Sequence, residues 1–146
     1  MRKGETSPLR HSAVYRSEPL ENGDVAITKI ARTGDPAPDG NGIFPYADNC
    51  ELALNNAGQM AFMNEITDTE GDHFVDEAIF FFDDARGLQI VARTEMPLLG
   101  STVTDLAIRS GTGDDHGCLN EEGCVAFRFC LADGREGIAV WRMPPQ

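Results

Sequence analysis

An eight-residue pattern occurs twice in this chain and constrains its fold more than any other feature. Asn55-Asn-Ala-Gly-Gln-Met-Ala-Phe62 returns as Asn120-Glu-Glu-Gly-Cys-Val-Ala-Phe127, 65 positions later. Both copies read Asn-x-x-Gly-x-x-Ala-Phe, a turn running into an apolar strand. Each fixed position has a structural reason. Asn can hydrogen-bond its own backbone two residues on, and Gly accepts a positive φ where a Cβ would clash. Ala permits close approach of a neighbouring sheet, and Phe fills a core. The pattern therefore points to architecture and not to chemistry.

The segments around it are short and rich in Val, Ile, Phe and Thr, with no sustained 3.6-residue apolar period. Strands are expected at 12–16, 24–32, 50–54, 59–63, 77–82, 88–93, 102–108, 124–131 and 137–142. Gly- and Pro-rich stretches separate them, among them Thr33 to Gly42, which no helix or central strand could contain. The fold class is all-β.

Further marks recur in the same order. Ala31-Arg-Thr33 returns as Ala92-Arg-Thr94, 61 positions on, and an aromatic strand recurs around Tyr15, Phe82 and Trp141 at offsets of 67 and 59. The predicted unit is an antiparallel four-stranded sheet of about 60–65 residues. Units of that kind stack like propeller blades or pack as a two-sheet sandwich. After a disordered N-terminus (1–11), one domain (12–143) would hold a partial unit (12–32), a full unit (33–94) and a second partial unit (95–143). Val125, Phe127, Phe129 and Leu131 alternate with Cys124, Ala126 and Cys130, so the strand carries apolar residues on both sides. That pattern predicts burial on both faces of the sheet. Equivalence to Phe82 places Tyr15 and Trp141 in the core.

These marks resemble the Asn-x-x-Gly-x-x-Ala-Phe tandem-repeat proteins of bacteria. Those chains also carry a Val-Ala-Arg-x-Gly-Asp-x-Ala-Pro segment, here Ile30-Ala-Arg-Thr-Gly-Asp-Pro-Ala-Pro38. The second copy, Val91-Ala-Arg-Thr-Glu-Met-Pro97, departs from it after Thr94. The resemblance implies a β-propeller-like scaffold in secreted or surface-anchored proteins, and no enzyme. A propeller closes with about 4–8 blades, and this chain spells little more than two. A piece of a longer propeller, an assembly of copies, or a two-sheet sandwich are the open alternatives.

Twelve basic residues stand against 24 acidic ones, a formal net charge of −12. Phosphate binding needs clustered Lys and Arg, so nucleic acid is not an expected partner, and neither is an anionic membrane surface. No run of about 18 apolar residues exists to span a bilayer. The N-terminus has positive charge but no apolar segment behind it, so no signal peptide is expected and a cell-surface location rests on the resemblance alone. Cys50, Cys118, Cys124 and Cys130 match no Cys-x-x-Cys pattern. Cys124 and Cys130 on one strand lie roughly 20 Å apart at about 3.3 Å per residue, too far to bond. Cys118 and Cys124 flank the second turn and could face each other across it.

Candidate chemistry is confined to three loops. Asp35, Asp39 and Asn41 form one oxygen-rich cluster, and Asp68, Glu70 and Asp72 another. Both resemble fragments of calcium loops, without the full Asp-x-Asp-x-Asp-Gly pattern and its distant Glu. Calcium is therefore the one candidate cofactor, against a default of none. Asp114, Asp115 and His116 combine two carboxylates with an imidazole, a set that could bind a ligand or, with carboxylates from another loop, support metal-assisted hydrolysis. No second His or Cys stands at ligand spacing nearby. No nucleophile elbow is present.

The expected function is a non-enzymatic β-repeat module for binding or assembly, its ligand or partner protein unspecified. It would homo-oligomerise through exposed sheet edges or faces. A metal-assisted hydrolase and a fragment of a longer propeller without independent function are the competing expectations.

Overall fold

The computed structural model describes residues 11–47, 51–69, 76–111, 115 and 117–145. It is all-β and antiparallel, with ten strands and no helical residue among those described. Strands β1 (Ala13–Pro19) and β2 (Val25–Arg32) form a hairpin, sheet I. Sheet II runs in sequence order through β3 (Leu52–Leu54), β4 (Met60–Ile66), β5 (Asp76–Asp83) and β6 (Gly87–Arg93). Sheet III does the same with β7 (Pro97–Leu98), β8 (Ser101–Ala107), β9 (Val125–Leu131) and β10 (Glu136–Trp141). Nine of these strands fall on the nine expected segments. The two-residue β7 was not expected, because it has no apolar run of its own and is held by its hairpin to β8. The proposed disordered segment 1–11 lies, apart from His11, outside the described residues.

Three layers follow from how the side chains divide. Along β4, Met60, Phe62 and Ile66 join a core with Val14, Ile30 and Ala31 of sheet I and with Phe44. The alternate residues Ala61 and Met63 join a second core with Val103, Val125, Phe127, Phe129 and Leu131 of sheet III. Sheet II is thus the middle layer, its β4 and β5 buried on both sides. Phe44 and Phe62 stack near Phe80 on one side, at 4.9 and 5.2 Å between ring centroids, while Phe81 meets Trp141 at 5.1 Å on the other. Such contacts favour tilted or offset rings.

The two-sided burial expected of β9 is corrected here. Val125, Phe127, Phe129 and Leu131 are buried, but Ala126 and Arg128 are exposed. Sheet III is an outer layer, and among the described residues nothing covers its second face. Small and apolar residues on that face made it look buried in sequence.

Both copies of the Asn turn have the same hydrogen bonds. Asn55 Oδ1 accepts from the amides of Ala57 (3.1 Å) and Gln59 (3.0 Å). Asn120 Oδ1 accepts from Glu122 (3.0 Å) and Cys124 (2.8 Å). Gly58 and Gly123 both take a positive φ, 77° and 82°, as the turn requires.

A second correspondence involves a bulge. β1 and β2 shift register between Val14 and Tyr15, leaving Ile30 as the extra residue. β5 and β6 shift between Ile79 and Phe80, leaving Val91 extra. Aligning the bulges makes Tyr15 the counterpart of Phe80 and not, as expected, of Phe82. The two lie on the same side of their strands, but sheet I is an outer layer. Tyr15 is accordingly 55% exposed and not a core residue, which corrects its expected burial. Trp141 keeps its correspondence to Phe82, since Val125↔Trp141 and Met60↔Phe82 pair at matching places in the two motif strands.

Arg16 joins sheets I and II. It is buried, donates to the Gly58 carbonyl (2.8 Å) and to Asp84 Oδ1 (2.7 Å), and lies over the Phe82 ring. Its charge is tolerated there because the guanidinium finds both polar partners and an aromatic face.

Candidate functional site

In the first loop the carboxylates are engaged with the protein's own cations and amides. Asp35 Oδ2 accepts from the Arg32 amide (3.0 Å) and pairs with Lys29 (3.2 Å). Asp39 Oδ1 holds the Asn41 amide (3.0 Å), and its Oδ2 pairs with Arg93 (2.7 Å). Arg93 also takes the Asn41 carbonyl (3.1 Å) and lies 3.5 Å from Asp76. This loop is thereby tied to the end of β6. In the second loop Asp68 has a positive φ of 57°, while Glu70 and Asp72 lie outside the described residues. In the third, Asp115 accepts from Arg109 (2.9 Å) and from the Gly117 amide (3.2 Å), and Asp114 and His116 lie outside the described residues. Among the described residues no group of three His, Cys, Asp or Glu stands close enough to hold a metal ion.

Sequence reading missed a concentration of acid between sheets II and III. Glu65 of β4, Asp76 and Glu77 of β5, Glu95 after β6 and Asp105 of β8 line an open cleft of about 340 Å³. Burial pushes the Glu77 pKa up, and the negative charges of Asp105, Glu65 and Glu51 push it further. Tyr46 donates its hydroxyl to Glu65, and Asp76 is balanced by Arg93 and approached by Thr94 Oγ1 at 3.4 Å. No local spacing signals this cleft, because its residues come from four separate segments of the chain.

The three described cysteines, Cys118, Cys124 and Cys130, carry free thiols, and Cys50 lies outside the described residues. Burial raises the Cys118 thiol to about 11, so it is neither a thiolate nucleophile nor a ready metal ligand at neutral pH.

The profile of a family of unknown function, DUF7453, matches residues 1–144. The chain belongs to that family. No curated protein and no solved structure matches it.

In this DUF7453 chain the most distinctive surface lies at the two ends of the three-layer stack. The outer face of β1 and β2 presents Tyr15 (55% exposed), Val25 (57%) and Ile27 (60%). The outer face of β10 presents Ile138 (79%) and Val140 (59%) beside Ala126. Among the described residues, five of the seven exposed large hydrophobics lie on these two faces, and the other two, Leu20 and Leu99, sit at turns. Single exposed apolar residues need no explanation, but their gathering on two sheet faces does.

Proposed function

We propose that the protein is a non-enzymatic, repeat-built β-sheet module that works by association through the outer faces of its stack. The observation that carries this reading is the contrast between layers. The middle sheet has both faces covered by neighbouring sheets. The outer sheets expose Tyr15, Val25 and Ile27 on one end and Ile138 and Val140 on the other. Covering those faces would remove apolar surface from water, at roughly 25 cal/mol per Å².

Light scattering over a wide concentration range tests the reading. The purified chain should show a mass that rises with concentration. A variant carrying Val25→Lys, Ile27→Lys, Ile138→Lys and Val140→Lys should stay monomeric with an unchanged melting temperature. If the two chains scatter alike at every concentration, the reading falls.

Metal-assisted hydrolysis at Asp114, Asp115 and His116 is the competing reading. Calcium titration by calorimetry separates the two: heat of binding, with melting lowered by chelator, would favour the metal-dependent one.

A further inference from the structure

We infer that the outer-face partner is a second copy of this chain, docked head to tail, with the β10 face of one copy on the β1–β2 face of the next. This rests on the association reading above and adds to it the identity, polarity and residues of the contact.

The three layers share one direction. Call front the face of sheet II that carries Ile79 and Phe81, and likewise the faces of the other sheets that carry their counterparts, Val14 and Arg16 in sheet I and Ile138 and Val140 in sheet III; the opposite face is the back. The front of sheet I packs on the back of sheet II, and the front of sheet II packs on the back of sheet III. Each in-chain sheet contact is therefore front to back. Among the described residues, what remains uncovered is the front of sheet III and the back of sheet I, the two surfaces the same operation would bring together.

Residue correspondence supports this. The register Met60↔Phe82 in sheet II matches Val125↔Trp141 in sheet III. By that match Ile79 and Phe81 on the front of sheet II correspond to Ile138 and Val140. Ile79 and Phe81 are both 0% exposed because sheet III covers them, whereas Ile138 and Val140 are 79% and 59% exposed. On the other end, the shared bulge makes Tyr15 and Ile27 the counterparts of Phe80 and Leu88. Phe80 is 0% exposed, packed in the core that sheet II shares with sheet I. Tyr15 is open. Four positions that bury apolar side chains inside the stack thus keep apolar side chains at its ends, uncovered among the described residues, while Arg128 and Lys29 stand where Met63 and Ile90 do.

The front of sheet III also contains a hollow of about 360 Å³ with apolar walls, including Ala107, Ile108, Ala126 and Ile138. A projecting Tyr15 or Ile27 from a second copy has the size and polarity to enter it. A front-to-back contact uses two different surfaces, so it is heterologous. It closes into a ring if its rotation permits and otherwise extends.

Complementation of single-face variants tests the inference. One variant carries Ile138→Lys and Val140→Lys and lacks the front; the other carries Val25→Lys and Ile27→Lys and lacks the back. Each alone should be monomeric where the unmodified chain associates, and an equimolar mixture should form a one-to-one dimer that grows no further. The milder pair Ile27→Thr and Ile138→Thr, which suits exposed strands, should shift the association to several-fold higher concentration and guards against loss of fold. If the front variant is monomeric but the back variant associates like the unmodified chain, the contact is front to front. The head-to-tail inference then fails while the association reading stands. If the mixture shows no dimer although both variants melt normally, the inference fails in the same way. An unmodified chain that is monomeric throughout overturns both.

Discussion

Asn55 Nδ2 donates to the main-chain carbonyl of Asn120 at 2.9 Å, so the two copies of one motif, 65 residues apart, are bonded to each other. The neighbouring pair repeats the arrangement, with Asn56 Nδ2 donating to Glu121 Oε1 at 3.0 Å. Asn55 is buried by this contact at 5% exposure, whereas Asn120 belongs to the outer layer and is exposed. The same residue in the same turn therefore has two different energetic roles.

Replacing each with Ala should expose that difference. Asn120→Ala removes two turn bonds at an exposed site and should cost about 1 kcal/mol. Asn55→Ala removes the same two and also the bonds to Asn120 and Gln59, the latter at 2.7 Å. All four bonds are made by a side chain that is itself buried, although the Asn120 carbonyl keeps the Gly123 amide at 3.2 Å, and the loss should cost about 2–3 kcal/mol. Denaturant unfolding of the two variants checks the ordering.

Glu95 has a φ of +73° where the corresponding Gly34 has +89°. The surrounding hydrogen bonds match: Gly34 and Glu95 donate to Phe44 (2.8 Å) and Val103 (2.7 Å), and those two return bonds to Asp35 (2.9 Å) and Met96 (3.0 Å). A glutamate in this region of φ is strained and a glycine is not. Glu95→Gly should stabilise the protein by about 0.5–1 kcal/mol after the glycine's unfolded-state entropy is counted. Gly34→Glu should destabilise it. Paired thermal and denaturant melts would show the opposite signs.

Glu77 sets a pH dependence. Its folded-state pKa is raised, first by burial and then by the charges of Asp105, Glu65 and Glu51. The folded protein thus holds that proton more tightly than the unfolded chain does. The stability this contributes is fully present below the ordinary glutamate pKa and is lost as pH climbs through the raised folded value. Glu77→Gln should therefore melt higher than the unmodified protein at pH 7, with the gap closing at acid pH. Melting temperature against pH for the two chains checks it.

Cys118 should resist thiol reagents. Burial holds its pKa at about 11, so at pH 8 almost none is thiolate. Cys124 and Cys130 are only partly covered and should label first. Peptide mass spectrometry after brief alkylation of the native protein would show Cys118 unmodified until denaturant is added.

Much of the fold was legible because its determinants are local. Asn55 and Asn120 make their turns with atoms no more than four residues away, and alternating apolar residues define the strands they launch. The candidate loops were visible for the same reason. Their carboxylates read as ligand sets, yet Asp39 is taken up by Arg93, 54 residues distant. No spacing rule could have anticipated that pairing.

The sequence by itself determined an all-β chain, the position of nearly every strand, and a turn built by Asn and Gly, since backbone geometry and side-chain alternation act within a few residues. Tertiary structure decided which faces are covered. β4 and β9 follow the same motif, yet β4 is enclosed on both sides and β9 on one. Burial depends on which sheet arrives next, and alternation along a strand carries no record of its neighbour. It also decided that Tyr15 answers to Phe80, because the bulge that sets the register is made between strands. The acidic cleft, assembled from four separate segments, exists only once sheets II and III have met.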